Sequence, residues 1–301
     1  MWLSWRWGLV ATLVLAGMSL QLRRSEQRPG LRALVNELAL MFGLYTLWRI
    51  CGSLSVMKVD GALARGRHLW HIERWLHLPN EATIQGWVLP HGWLVQFSNL
   101  YYAVAHAPAL GIFLVWLFWR QRESYRPART ALVLTTFACL LIQLVPLAPP
   151  RMFPDLGFVD TAARYGQSVY AATVGPNSFN QLSAMPSVHV AWAVIIAWYT
   201  YTLSRSRWRY IGTGHAALTV FVVTVTANHW LADGIVATAL FAVSVLIVDR
   251  VYGRRSAPIE PVPVPVPASA IEEVPQLTQS SLPSGSRSVM QRGPRSSEVQ
   301  A

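Results

Sequence analysis

The sequence predicts an all-α integral-membrane protein, a bundle of about seven transmembrane helices followed by a disordered C-terminal tail. Three observations lead to this reading. Hydrophobic residues make up 53% of the 301-residue chain and charged residues only 13%, against about 25% charged in an average globular protein. Apolar runs repeatedly approach the ~20 residues needed to cross a bilayer. Short arginine clusters separate alternate pairs of these runs.

The apolar runs cover residues 7–22, 33–55, 98–119, 130–148, 186–203, 210–227 and 230–251. Most arginines near the first run follow it (Arg23, Arg24 and Arg28, against Arg6 before it), the reverse of a cleavable signal, so it reads as a retained span. Arginine clusters at 23–32, 120–129, 205–209 and 250–255 then fall on one face, which the positive-inside rule makes cytoplasmic. The amino terminus, the 56–97 segment, the 149–185 loop and the turn at 227–229 lie on the outer face of the cell membrane. In 56–97, Leu69, Ile72, Trp75 and Leu76 share one helical face, as in a helix lying in the outer interface. His68, His71 and His77 beside them read as residues of a wet face rather than metal ligands, with no acidic or cysteine partner at ligand spacing. Residues 254–301, with "PIEPVPVPVPASA" near their start, read as a solvated tail. The chain thus divides into N-terminal spans (1–55), an outer interfacial segment (56–97), a membrane core (98–253) and the tail (254–301).

The net charge of +11 does not point to nucleic acid, because the arginines lie mostly between apolar runs, where topology accounts for them. Cys51 and Cys139 both sit inside apolar runs, which argues against a disulfide framework or a metal site. The expected partners are the bilayer and a lipid, with no metal and no cofactor.

Three outer-face stretches carry candidate chemistry. "PLAPPRMFP" presents Arg151 just after the fourth run, "AMPSVHV" presents Ser187 and His189 at the mouth of the fifth, and "ANHWLADGI" presents Asn228, His229 and Asp233 at the seventh. Residues four apart on a helix share a face, so Asp233 is placed to orient the His229 imidazole and free its other nitrogen. A buried ion pair holding the helix end explains the same spacing. His189 on the same face supplies a second imidazole, giving a nucleophile and general-acid pair. Pro186 is a favoured helix start, and the amides near Ser187 and Val188 would face an anion together with Arg151.

"PSVH" followed by "H-x-x-x-D" on a later helix resembles the type 2 phosphatidic acid phosphatase superfamily, with signatures K-x6-R-P, P-S-G-H and S-R-x5-H-x3-D. The resemblance covers residues 98–251 and implies a six-helix phosphatidic-acid-phosphatase-like core. It implies that His229 attacks phosphorus to form a phosphohistidine, Asp233 orients it, His189 protonates the leaving oxygen, and Arg151 neutralises phosphate oxygens. The departures are that Leu144, Met152, Val188, Val222 and Val223 stand where the signatures have lysine, proline, glycine, serine and arginine. Two phosphate-binding cations are therefore missing, with Arg164 a candidate replacement. Such a site suits a singly charged diester better than a monoester, a pattern similar to the inositol phosphorylceramide synthase and sphingomyelin synthase branch.

The expected function is phospho-head-group transfer on a phospholipid or isoprenoid phosphate at the extracytoplasmic face. The alternatives are monoester hydrolysis and non-enzymatic binding or transport of a lipid head group. Asn99, Tyr102 and His106 share one face of the third run, where Tyr102 and His106 either reach a head group or bond between helices. Gln143 reads as helix glue, and His215 is expected far from the site. Asn180, in a loop long enough to act as a lid, is a substrate-binding candidate whose alternative is a turn residue.

Overall fold

Each apolar run becomes helix in the computed structural model, which describes residues 4–24, 29–55, 61–165 and 182–253. The expected tail and Asn180 lie outside the described residues. The first two runs are α1 (Trp5–Arg24) and α2 (Pro29–Ser55), and the interfacial segment folds as α3 (Ala62–Trp75) and α4 (Glu81–Val88). The core follows as α5 (Gly92–Val104), α6 (His106–Arg120), α7 (Arg122–Gln143), α8 (Thr161–Tyr165), α9 (Val188–Leu203), α10 (Arg209–Val225) and α11 (Leu231–Gly253).

The third apolar run is two helices rather than one, since α5 and α6 meet at 52°. Pro108 explains the break, because in a continuous helix its ring would collide with the carbonyl of Val104. Among the described residues, α11 alone is long and apolar enough to cross a membrane, and α5 with α6 passes as one bent pair. The apolar α9 has 16 residues, or about 24 Å of helix against a hydrocarbon core of about 30 Å. Helix length and composition thus carry one or two spans, fewer than the alternation of apolar runs and arginines predicts.

Helices α6, α7, α9 and α11 bury a common core that includes Leu117, Leu132, Ile195, Tyr199 and Phe241. Gly212 lets α10 approach α9 closely, since a Cβ there would stand 3.1 Å from the Ile196 carbonyl oxygen. Glu37 ties α2 to α7 by accepting a 3.0 Å hydrogen bond from the Tyr125 hydroxyl and pairing with Arg129. Cys139 is a buried free thiol.

Of the four residues read as one apolar face of α3, Leu69 alone turns inward. Ala62, Gly66, Leu69 and Glu73 turn inward, while Ile72, Trp75 and Leu76 are exposed. His68, His71 and His77 are exposed as expected. The inward face packs on residues 146–153. Arg65 Nε donates to the Pro146 carbonyl at 2.6 Å, and a Cβ on Gly66 would stand 2.8 Å from the Ala148 carbonyl oxygen. Glu73 turns inward because the first backbone N–H groups of α11 have no partners within their own helix. Ala232 donates to Glu73 Oε1 at 2.7 Å, Leu231 to Glu81 Oε1 at 3.1 Å and Trp230 to Asp233 Oδ2 at 2.8 Å. Arg74 pairs with Glu81 at 3.2 Å.

Burial, reinforced by the neighbouring Glu81, holds the Glu73 carboxyl well above its ordinary value of 4.5, so it keeps its proton at neutral pH. A carboxyl raised in the folded state contributes its stability fully below that ordinary value and loses it as pH climbs toward the folded one. Glu73→Gln preserves an acceptor for Ala232 and an N–H toward Glu81, and it has no proton to lose. Its thermal midpoint should therefore gain on wild type as pH rises from about 5 to about 9. Glu73→Ala orphans the Ala232 N–H and should cost about 1–3 kcal/mol near pH 5, a deficit that narrows as pH rises because alanine too has no proton to lose, measured by thermal unfolding in detergent.

Candidate active site

The turn that carries His229 is built by two helix ends. Helix α10 closes with Ala227 donating to the Thr224 carbonyl at 2.9 Å and Asn228 to the Val223 carbonyl at 3.2 Å. This is the double hydrogen-bond pattern of a Schellman ending. Ala227 holds the left-handed position with φ 52, where glycine is the usual residue. Its side chain is fully buried with Trp230, Ala148 and Phe158. Trp230 then starts α11, with Asp233 reaching back to its N–H as in half of a capping box.

His189 stands in the first turn of α9. Ser187 caps that helix by accepting the Val190 N–H at 3.3 Å, and its own N–H donates to the Asp233 carbonyl at 3.3 Å. Gln143, at the end of α7, donates to the Pro186 carbonyl at 2.9 Å. The backbone N–H of the fully buried Ser187 and its hydroxyl oxygen, as acceptor, are thus engaged within the protein and fasten α9 to α11.

These two helix starts bring the histidines together. His189 Nδ1 and His229 Nε2 are 3.3 Å apart, with ring centroids 5.5 Å apart. His229 Nδ1 lies 2.7 Å from the Ala184 carbonyl oxygen and 3.4 Å from Asp233 Oδ2. A carbonyl only accepts, so Nδ1 carries the proton and the Nε2 lone pair faces His189. The predicted histidine–aspartate contact is present, but the Ala184 carbonyl is the shorter partner. Asp233 spends the same oxygen on Trp230, and its Oδ1 is buried without a hydrogen bond. Ala184 is held in turn by a lone parallel bridge between Leu147 and Ser183, in which Ala184 donates to the Leu147 carbonyl at 3.3 Å.

Arg151 occupies a short 3₁₀ turn, Pro150–Met152, and is buried. Its backbone N–H donates to the Ala227 carbonyl at 2.9 Å, and its guanidinium donates to Asn228 Oδ1 at 2.6 Å. Asp160 lies 3.7 Å from Arg151 Nε. Asn228 is anchored by donating to Thr226 Oγ1 at 2.9 Å. The residue beside His229 therefore aims the arginine. Val222 and Val223 are buried against Tyr102 and Val190, and Arg164 is exposed beside the Tyr165 ring.

Tyr102 and His106 both reach His189, with ring centroids at 4.7 Å and 4.5 Å. Asn99 does not join them. It donates to the Thr161 carbonyl at 3.2 Å and accepts from the Thr161 hydroxyl at 2.9 Å, tying α5 to α8. His215 is not remote as predicted, because its ring lies 6.0 Å from that of His106 and its Nδ1 is 2.6 Å from the Tyr101 hydroxyl. The imidazoles of His229, His189, His106 and His215 thus form one continuous column. Among the described residues, no group of histidine, cysteine or acidic side chains is arranged to hold a metal ion.

No curated protein and no solved structure matches the chain. A family model described as PAP2 superfamily matches residues 67–247. That span begins within α3, ends within α11 and contains Arg151, Ser187, His189, His229 and Asp233. The chain belongs to the PAP2 superfamily.

Proposed function

We propose that this protein is a membrane lipid phosphotransferase that moves a phospho-head group, of inositol-phosphate type, through a phosphohistidine at His229. The superfamily supports phosphatase or phosphotransferase chemistry on lipid phosphates. The observation that carries the histidine mechanism is the His229 ring, tied by Nδ1 to the Ala184 carbonyl with Nε2 3.3 Å from His189. A neutral imidazole with one nitrogen fixed as donor presents the other as a nucleophile.

In the first half-reaction the Nε2 lone pair forms a bond to phosphorus while the bond from phosphorus to the lipid oxygen breaks. His189, acting as the imidazolium, gives one of its two ring protons to that leaving oxygen and keeps the other. In the second, an alcohol or water oxygen attacks phosphorus, yields its proton to His189 and releases His229. The phosphoryl group has to come between the two imidazoles, so substrate binding replaces their mutual contact. Arg151, aimed by Asn228, offsets charge on the phosphate oxygens. Tyr102 walls the His189 side, and Asn180 is a proposed substrate contact from the outer loop.

Two features support head-group transfer over monoester hydrolysis. The positions of the missing signature cations are filled by the buried Val223 and by Leu144 at the end of α7, and Arg164 lies exposed beside Tyr165. One guanidinium suits a singly charged diester better than a monoester of about two charges. The membrane setting is supported by α11, by the bent α5–α6 pair and by exposed tryptophans. Trp75, Trp87 and Trp93 precede the outer mouth of the core, and Trp119 and Trp208 adjoin the arginine clusters, as in interfacial belts. The site then faces away from the cytoplasm.

Purified full-length protein in mixed micelles with phosphatidylinositol and a long-chain alcohol should yield a new phosphoinositol-bearing lipid. Free phosphate from a lipid monoester without that product overturns transfer in favour of hydrolysis. Head-group binding without turnover, unchanged in His229→Ala, overturns the enzyme reading in favour of a lipid-binding protein. His229→Asn should fall to background. His189→Asn should lose roughly 100- to 10,000-fold in turnover while still binding lipid.

A further inference from the structure

We propose that His106 is the positioning partner of His189, accepting its N–H and fixing the ring that serves as general acid; this rests on the phosphohistidine reading above. His106 is buried, at 5% exposure, and neither of its ring nitrogens makes a hydrogen bond. The Tyr102 backbone one turn earlier lies near without closing one. Leaving a buried polar group unsatisfied costs about 1–3 kcal/mol, which an apolar side chain of similar size would avoid. The neighbouring imidazoles are not in this position. His229 holds the Ala184 carbonyl, His215 holds the Tyr101 hydroxyl, and His189 faces His229.

His189 becomes the one that needs a new partner. Its Nδ1 faces His229, and that contact is lost when a phosphoryl group comes between them. His106 stands on it at a centroid distance of 4.5 Å with the ring planes at 67°. The hydrogen-bonded pair His189–His229 has its centroids at 5.5 Å. The two rings are therefore already within bonding range, and a ring rotation converts their edge contact into an N–H···N bond. The break between α5 and α6 is what makes this possible. His106 is the first residue of α6, so the 52° bend at Pro108's turn sets where its ring stands. His229 is oriented by a carbonyl and a carboxylate, and in this arrangement His106 supplies the corresponding support for His189. A neutral imidazole in that role fixes the ring without adding a buried negative charge.

The test separates support of the general acid from simple packing. Esters are offered as two pairs, monoesters and methyl diesters, each pair differing only in the leaving alcohol, decanol or p-nitrophenol. Single-turnover alcohol release is followed by rapid quench for wild type, His106→Gln and His106→Leu. Decanol needs a proton to leave and p-nitrophenol does not, so His106→Leu should lose about 10- to 100-fold on the decyl ester, His106→Gln, which keeps an acceptor, should lose less, and both should stay within about threefold on the nitrophenyl ester. The ratio of the two rates cancels any loss of folded protein. Equal losses on both esters, or an undiminished decyl rate in His106→Leu, overturn the assignment of His106 and leave the phosphohistidine reading standing. No alcohol release from any ester by wild type overturns that reading and this inference with it.

Discussion

The N-terminus of α11 is the constraint on which the rest of the site depends. Its leading N–H groups are buried and need acceptors, and three carboxyl groups from three places in the chain provide them. Glu73 comes from α3, Glu81 from α4 and Asp233 from α11 itself. Carboxyl oxygens at a helix N-terminus also meet the positive end of its dipole, which offsets part of the cost of burying them. Once α11 is held, the Schellman turn at the end of α10 has only a few residues in which to join it. His229 is the residue that turn delivers.

The same anchoring sets the remaining partners at close range. Trp230 donates to the Ala148 carbonyl at 3.0 Å, joining the α11 start to the segment that carries Arg151. Arg151 returns a backbone hydrogen bond to Ala227, and the Ser187 N–H reaches the Asp233 carbonyl. Three chain segments distant in sequence are therefore laced by backbone groups rather than by side chains alone. Such lacing fixes where the imidazoles stand, and a misplacement of about 1 Å at reacting groups can cost roughly 100-fold in rate. Asp233 then acts twice, once as a cap for Trp230 and once as a longer-range partner of His229.

Much of the site was legible in the sequence, and the reasons are local. His189 and His229 each mark the mouth of an apolar run on the same side, so their meeting followed from topology. Arg151 followed from the third mouth on that face. What was not legible depends on backbone atoms and on depth. The Ala184 carbonyl that orients His229 has no signature in residue identity. The partnership of Asn228 with Arg151 required the turn geometry. Residues 59–80 were read by their apolar, arginine and histidine residues as an interfacial helix, and the inward role of an acid in that helix was not drawn. The signal available was Glu73 itself, one of 14 acidic residues in the whole chain and followed by Glu81 at the start of the next helix. His215 was read as remote because it lies early in its own run; His106, placed at the α5–α6 break by Pro108, is the ring that links it to His189.

The central claim is that His229 attacks through Nε2 because Nδ1 is committed to the Ala184 carbonyl. The measurement that tests it most directly is the identity of a trapped phosphoenzyme. Full-length protein would be quenched during turnover in alkali, where phosphohistidine survives, and mapped by peptide mass spectrometry and phosphorus NMR. The account predicts phosphate on Nε2 of His229. Phosphate on Nδ1 of His229, on His189, or on neither residue while turnover proceeds would contradict it.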